Sequence, residues 1–248
     1  MMRPIAVSLL LSALLACGLA RYAGAESPST EPSPSPATGA DVERAMFKLL
    51  DAPLLFTKRH SYTGIHIYDT FYKWPPGGGG IYVLENPSAP RSQWKIRPVI
   101  DPTTPETLGV GVYTHPELSW DATKLLFCFK GEPTGSPRIY EIGIDGRGLR
   151  RITDPTPPCD CYKGGHAGQH DIAPTWLPNG RIVFLSTRPS GLVPCANSGV
   201  SVLHVMNADG SDIHPISVNH VNEFDPSILP DGRILFGRWE YVDKNALT

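Results

Sequence analysis

The chain has 248 residues with 24 Gly, 26 Pro and a formal net charge of -2. That length suits one large or two small domains. The near-neutral balance supplies no basic field for nucleic acid or anionic lipid, and the density of turn residues favours many short strands over long helices.

The N-terminus reads as an export signal over residues 1–25. Arg3 precedes an apolar run from Ile5 to Leu15, too short to span a bilayer comfortably. Ala23-Gly24-Ala25 then offers small residues for cleavage, with Glu26 as the mature start. A rival is Leu14-Leu15-Ala16-Cys17, which resembles a bacterial lipobox and would leave Cys17 as a lipid anchor. The expected location is periplasmic or extracellular, with no transmembrane span after cleavage. Export implies an oxidising compartment, and Cys128, Cys159, Cys161 and Cys195 remain in the mature chain with their pairing undetermined by sequence.

Residues 26–40 are Ser, Pro, Thr, Glu and Gly with almost nothing apolar, the composition of a disordered tether. Residues 41–53 hold the helix candidate. Asp41 is placed to cap it, Ala45, Met46, Leu49 and Leu50 share a face, and Pro53 ends it. From residue 54 to 248 the signals are strand and turn. Leu54-Leu55-Phe56-Thr57, Gly64 to Tyr68 and Ile81 to Leu84 read as strands, with a wide turn through Trp74-Pro75-Pro76 and Gly77 to Gly80. No Lys-Ser/Thr pair follows those glycines, so they read as a hairpin tip rather than a phosphate cradle.

A repeat dominates the rest. Pro174-Thr175-Trp176-Leu177-Pro178-Asn179-Gly180-Arg181-Ile182-Val183-Phe184 returns as Pro226 to Phe236, and in weaker form as His115 to Phe127. The best string alignment sets Trp120 against Trp176 and Trp176 against Ile228, and places both tryptophans in the core. A second unit, Ile139 to Gly146, matches Leu203 to Gly210, and each runs through an Asp-Gly turn into a last strand at Leu149 to Thr153 or Ile213 to Ser217. Each period of about fifty residues therefore carries about four short strands. Leu125-Leu126-Phe127, Ile182-Val183-Phe184-Leu185 and Ile234-Leu235-Phe236 do not alternate, so both faces of these strands are expected to be covered. The prediction is an all-β fold: a β-propeller of four-stranded blades, with about four blades present, after a short N-terminal helix.

The Pro-(Ser/Thr)-Trp-x-Pro-(Asp/Asn)-Gly-Arg-Ile-x-Phe motif, with Val205-Met206-Asn207-Ala208-Asp209-Gly210-Ser211 behind it, resembles the TolB-type, WD40-like propeller repeat. Gly64 to Asp69, Gly78 to Pro87, Cys159-Asp160-Cys161-Tyr162-Lys163-Gly164-Gly165-His166 and Arg238 to Asp243 are similar to the propeller part of secreted proteins like the hydrazine synthase alpha subunit. That resemblance implies the fold. The synthase's covalent haem is held by Cys-x-x-Cys-His, a motif this chain lacks. Relatives of this kind are longer and close with about six blades, so a fragment, or a propeller completed by a protein partner or by further C-terminal blades, is expected.

Two places are candidates for chemistry. The stretches before the apolar strands read as turn entries and align Thr114 with His170 and Asn222, and His115 with Asp171 and Glu223. These polar side chains read either as a channel-mouth ring able to bind a metal or as groups that order the loops. The loop holding Cys159, Cys161, His166 and His170 has ligands suited to zinc or copper, with disulfides and free thiols as competing readings. No catalytic set emerges, and no Gly-x-Ser-x-Gly elbow occurs. The expected function is an exported interaction or scaffold propeller. The alternative is a metal- or redox-dependent enzyme module.

Overall fold

The computed structural model describes residues 38–59, 79–132, 135–154, 169–193 and 199–239. The expected export signal, most of the tether, the strand at Gly64 to Tyr68, the aromatic turn after it and the loop holding Cys159, Cys161 and His166 lie outside the described residues. The chain divides into two units: one contains residues 1–53 and 86–94, the other residues 54–85 and 95–248.

The first unit carries α1 (Gly39–Lys48). Its cap is Thr38 rather than Asp41. The Asp41 amide donates to Thr38 Oγ1 at 3.3 Å while the Thr38 amide donates to Asp41 Oδ2 at 3.1 Å. This reciprocal pair satisfies two amides that a bare helix start would leave open. The helix stops at Lys48, ahead of Pro53, and Leu49 lies exposed instead of on an apolar face. Phe47 meets Trp94 edge to face, with ring centroids 5.0 Å apart.

In the second unit the described strands form four antiparallel sheets. The first contains β1 (Leu54–Arg59), β2 (Gly79–Leu84) and β3 (Ile96–Ile100). The second runs β4 (Val112–Leu118), β5 (Lys124–Lys130), β6 (Arg138–Gly143) and β7 (Arg150–Arg151). The third repeats that order with β8 (Asp171–Trp176), β9 (Ile182–Ser186), β10 (Val202–Met206) and β11 (His214–Pro215). The fourth pairs β12 (Glu223–Ile228) with β13 (Ile234–Arg238). Each sheet is a meander in sequence order, and the first strands β1, β4, β8 and β12 pack side by side. This is an all-β, propeller-like arrangement.

The continuous apolar runs follow from that stacking. On β5, Leu125, Phe127 and Phe129 pack with Ile81, Val83, Val99 and Ile100 of the first sheet. Leu126 and Cys128 pack the other way, with Ile172, Ala173 and Trp176 of the third. Each of the larger side chains contributes about 2 to 3 kcal/mol of transfer free energy. On β13 the pattern is the same in sequence but not in burial: Leu235 is 58% exposed and Phe236 37%.

One expectation needs correcting. The stretch before each apolar strand is not a turn but the first strand of its sheet. Proline and polar residues hide this, because each of these strands carries a β-bulge at the proline. The register shifts between Thr114 and Glu117, between Ile172 and Thr175, and between Phe224 and Ser227. The residue before each proline has a left-handed backbone: His115 (φ 50), Ala173 (φ 49) and Asp225 (φ 42). The bulge sets the true alignment. Leu118, not Trp120, matches Trp176, since they pair with Leu125 and Ile182. Trp120 sits in the following turn, 57% exposed, and takes no part in the core.

Repeated polar contacts join the sheets at their outer edges. Arg97 Nη1 donates to Ile144 O at 3.0 Å, and Arg150 Nη2 donates to the equivalent Ala208 O at 3.1 Å. The Asp-Gly turns close against the preceding sheet, and a Cβ on Gly210 would lie 2.3 Å from Ile152 O. A Cβ on Gly180, which has a similar positive φ of 81, meets nothing within 4 Å. Gly180→Ala should therefore cost about 1 to 2 kcal/mol, the left-handed strain alone. Gly210→Ala should cost clearly more in urea unfolding, because the contact is with backbone; equal losses for the two variants would mean that this close approach carries no energy.

Candidate functional site

The polar residues at the starts of β8 and β12 are held by the sheet before them. The Asp171 amide donates to Pro137 O, and the Glu223 amide to Ser201 O. Glu223 is buried, and its Oε2 accepts from the Leu203 amide at 2.7 Å and from Ser217 Oγ at 2.5 Å. The Asn222 side-chain oxygen accepts from the Ser201 amide at 2.8 Å. His170 is buried, with its amide on Thr187 Oγ1 and its carbonyl accepting from the Thr187 amide.

Asp171 occupies the place of Glu223 but makes different bonds. Its carboxylate is wholly buried. Oδ1 accepts from Ser186 Oγ at 2.8 Å, and Oδ2 lies 2.9 Å from Arg188 Nη2 and 3.5 Å from Arg138 Nη1. Arg138 also donates to Gln169 O, and Arg188 Nη1 approaches Gln169 Oε1 at 3.4 Å. At the corresponding place in the second sheet stands Tyr113, whose hydroxyl donates to Gly109 O.

The bulges assemble a second polar group along the first strands. His115 Nε2 lies 3.5 Å from Asp225 Oδ1, although one is on β4 and the other on β12. The residue at that register on β8, which runs between them, is Ala173, too short to fill the space. His115 Nδ1 is 2.9 Å from Thr114 Oγ1. Two residues beyond the bulge, Thr175 Oγ1 donates to Pro226 O at 2.9 Å, tying β8 to β12. The equivalent residue on β4 is Glu117, whose carboxyl burial pushes up to about 7.

Cys128 is a free, buried thiol on β5. Burial holds it in the protonated form, far above its usual range, and Asp171 nearby acts in the same direction. Among the described residues its thiol has no disulfide partner.

The structure therefore separates the residues that the sequence grouped. His115 belongs to the bulge, with Asp225. Asp171, Asn222 and Glu223 anchor strand starts, and His170 precedes one of them. Cys159, Cys161 and His166 lie outside the described residues. Among the described residues no three His, Cys, Asp or Glu side chains are arranged to hold a metal ion. Sequence reading missed Arg138, Arg188, Glu117 and Asp225. Only the buried acid at Asp171 could have pointed to the two arginines, through its need for a counter-charge.

No known family model and no curated protein matches the sequence. Solved structures do. The chain is similar to Kuenenia stuttgartiensis hydrazine synthase, with a TM-score of 0.54 and 18% identity, over 78% of this chain and 29% of that one. It is also similar to a TolB-type protein from Agrobacterium tumefaciens (TM-score 0.46, 18% identity, 67% of this chain and 48% of that one). TolB from Acinetobacter baumannii follows, with a TM-score of 0.43 and 15% identity, over 64% of this chain and 32% of that one. The chain thus spans less than half the length of these proteins. The likeness to hydrazine synthase, at such identity, shows the fold alone, an all-β, propeller-like arrangement. Among the described residues no helix is long and apolar enough to cross a membrane.

Glu117 gives a pH test. Its carboxyl rises from an ordinary 4.5 to about 7 on folding. Between those values the unfolded chain has released the proton that the folded chain keeps, so stability falls as pH rises, by up to about 1.4 kcal/mol per pH unit. Glu117→Gln removes this slope. Its stability relative to the parent, read by urea unfolding, should grow between about pH 5 and about pH 8; a constant difference would show that Glu117 does not titrate there.

Proposed function

We propose that the chain is an exported propeller module that acts as an interaction scaffold. One observation carries this reading. Leu235 and Phe236 on β13 are exposed, whereas the residues at the same register, Leu126 and Phe127 on β5 and Val183 and Phe184 on β9, are fully buried. In the second and third sheets a third strand, β6 or β10, pairs with that edge, and neighbouring sheets pack on the faces. Among the described residues nothing covers it on β13. An unpaired edge with apolar side chains is a template for strand addition. The partner fitting it is an antiparallel strand of β6 or β10 character, whose apolar side chains would lie beside Leu235 and Phe236 on the two faces.

The chain itself is the first probe. Sedimentation over a rising concentration series should show self-association, and the double substitution Leu235→Lys with Phe236→Lys should weaken it at least about tenfold, or about 1.4 kcal/mol. The variant's melting temperature should stay close to the parent's, because both side chains are already exposed. A chain that remains monomeric, or a variant that associates equally well, would remove the edge from the reading.

A metal- or redox-dependent module is the second reading, and Cys128 favours it. With that thiol buried and unpaired, Cys159, Cys161 and Cys195 form an odd set, and an odd thiol invites either a ligand or a free reactive group. Zinc or copper held by Cys159, Cys161, His166 and His170 should appear near one equivalent in elemental analysis of protein purified without chelator. It should be lost in Cys159→Ser. Metal-free parent protein would close this reading while leaving the scaffold untouched.

A further inference from the structure

The starts of β8 and β12 are equivalent places in the repeat, and the chain solves them differently. At β12 the buried carboxylate of Glu223 is satisfied by neutral donors, the Leu203 amide and the Ser217 hydroxyl. The corresponding amide beside β8, Ile139, donates to Thr153 Oγ1 at 3.1 Å just as Leu203 donates to Ser217 Oγ at 2.9 Å, so the difference lies in the acid: Asp171 is shorter than Glu223 by one methylene. Holding Asp171 at this register needs one hydroxyl and one charge. The chain supplies two charges. Arg138 and Arg188 both lean on the single oxygen Oδ2, with side chains 10% and 20% exposed.

Among the described residues Asp171 is the one carboxylate in contact with either guanidinium; the buried Glu223 acts on His204 but is not paired with them. Arg151 is nearby but is paired with Asp154 at 3.2 Å, so that couple is neutral. His204, within electrostatic reach of Arg188 and Asp171, is pushed toward its neutral form by burial, and its Nδ1 faces Val202 O at 2.9 Å. Two guanidiniums therefore share one carboxylate where water is largely excluded. Donors are left over as well. Arg188 Nε is closed to water and has no partner among the described residues. Arg138 donates through Nη1 alone there, with Nε and Nη2 unused. A surplus buried charge is strongly destabilising unless an anion meets it.

We infer that Arg138 and Arg188, with Asp171 as the fixed anchor between them, form a binding site for one oxyanion, a carboxylate or phosphate group of a small ligand. Planar guanidiniums match the two-oxygen geometry of both groups. Asp171 orients the forks and neutralises one charge, and the ligand meets the other. This site is separate from the β13 edge and does not depend on the scaffold reading.

The test is calorimetric titration of the whole chain at low, matched ionic strength, with inorganic phosphate and acetate as separate probes. The parent should bind at least one of them one to one. Arg188→Gln and Arg138→Gln should each weaken that binding at least about tenfold. Arg181→Gln should bind as the parent does, since Arg181 lies at the opposite end of β9 from Arg188 and is paired with the exposed Asp212. Circular dichroism checks folding. Should both glutamine variants fail to fold, Arg188→Lys decides: it keeps the charge and loses the fork, so at least about tenfold weaker binding supports the site and unchanged binding overturns it. Absence of binding to both probes overturns the inference. So does phosphate binding that appears only in Asp160→Asn, because the neighbouring loop's own carboxylate would then be the occupant.

Discussion

Covering both faces of the second strand in each sheet is the constraint on which the rest depends. β5 shows it most fully, with Leu125, Phe127 and Phe129 against one neighbouring sheet and Leu126 and Cys128 against the other. A strand this apolar has no solvent face to offer, so a lone sheet cannot hold it. Stacked sheets can, and once they stack, their first strands must meet along a common line. The bulges at His115, Ala173 and Asp225, the strand-start clasps at Asp171 and Glu223, and the outer contacts of Arg97 and Arg150 all follow from that geometry.

Much of this was legible in the sequence. Non-alternating runs such as Ile182 to Leu185 identified the buried strands, and the Asp-Gly pairs at 145–146 and 209–210 marked turns that the structure places at Gly146 and Gly210, both with positive φ. The first strands were not legible. A proline and a left-handed residue in the middle of a strand read as a turn, because the bulge that tolerates them is a property of the pair and not of the strand alone. The same blindness shifted the repeat by two residues and sent Trp120 to the core. The first copy misleads further, with Ala122 at φ 55 where the later copies use Gly180 and Gly232.

The candidate sites were less legible than the fold, for a related reason. Propensity and spacing describe neighbours along the chain, whereas His115 meets Asp225, and Arg138 meets Asp171 and Arg188, across sheets. A correct register is needed before any such meeting can be foreseen. Glu117 was passed over because a carboxylate in a polar stretch looks solvated until the partner strand is in place.

The pre-proline bulge has a consequence for how this architecture accommodates change. Between the second and third strands, the second sheet passes from Lys130 to Arg138 and the third from Ser186 to Val202, a much longer excursion. Yet the wall formed by β4, β8 and β12 keeps step, because each of these three strands reacquires its phase at its own X-Pro kink. Length added at the rim is absorbed there and does not propagate inward, so the periphery can diversify while the lining stays in place.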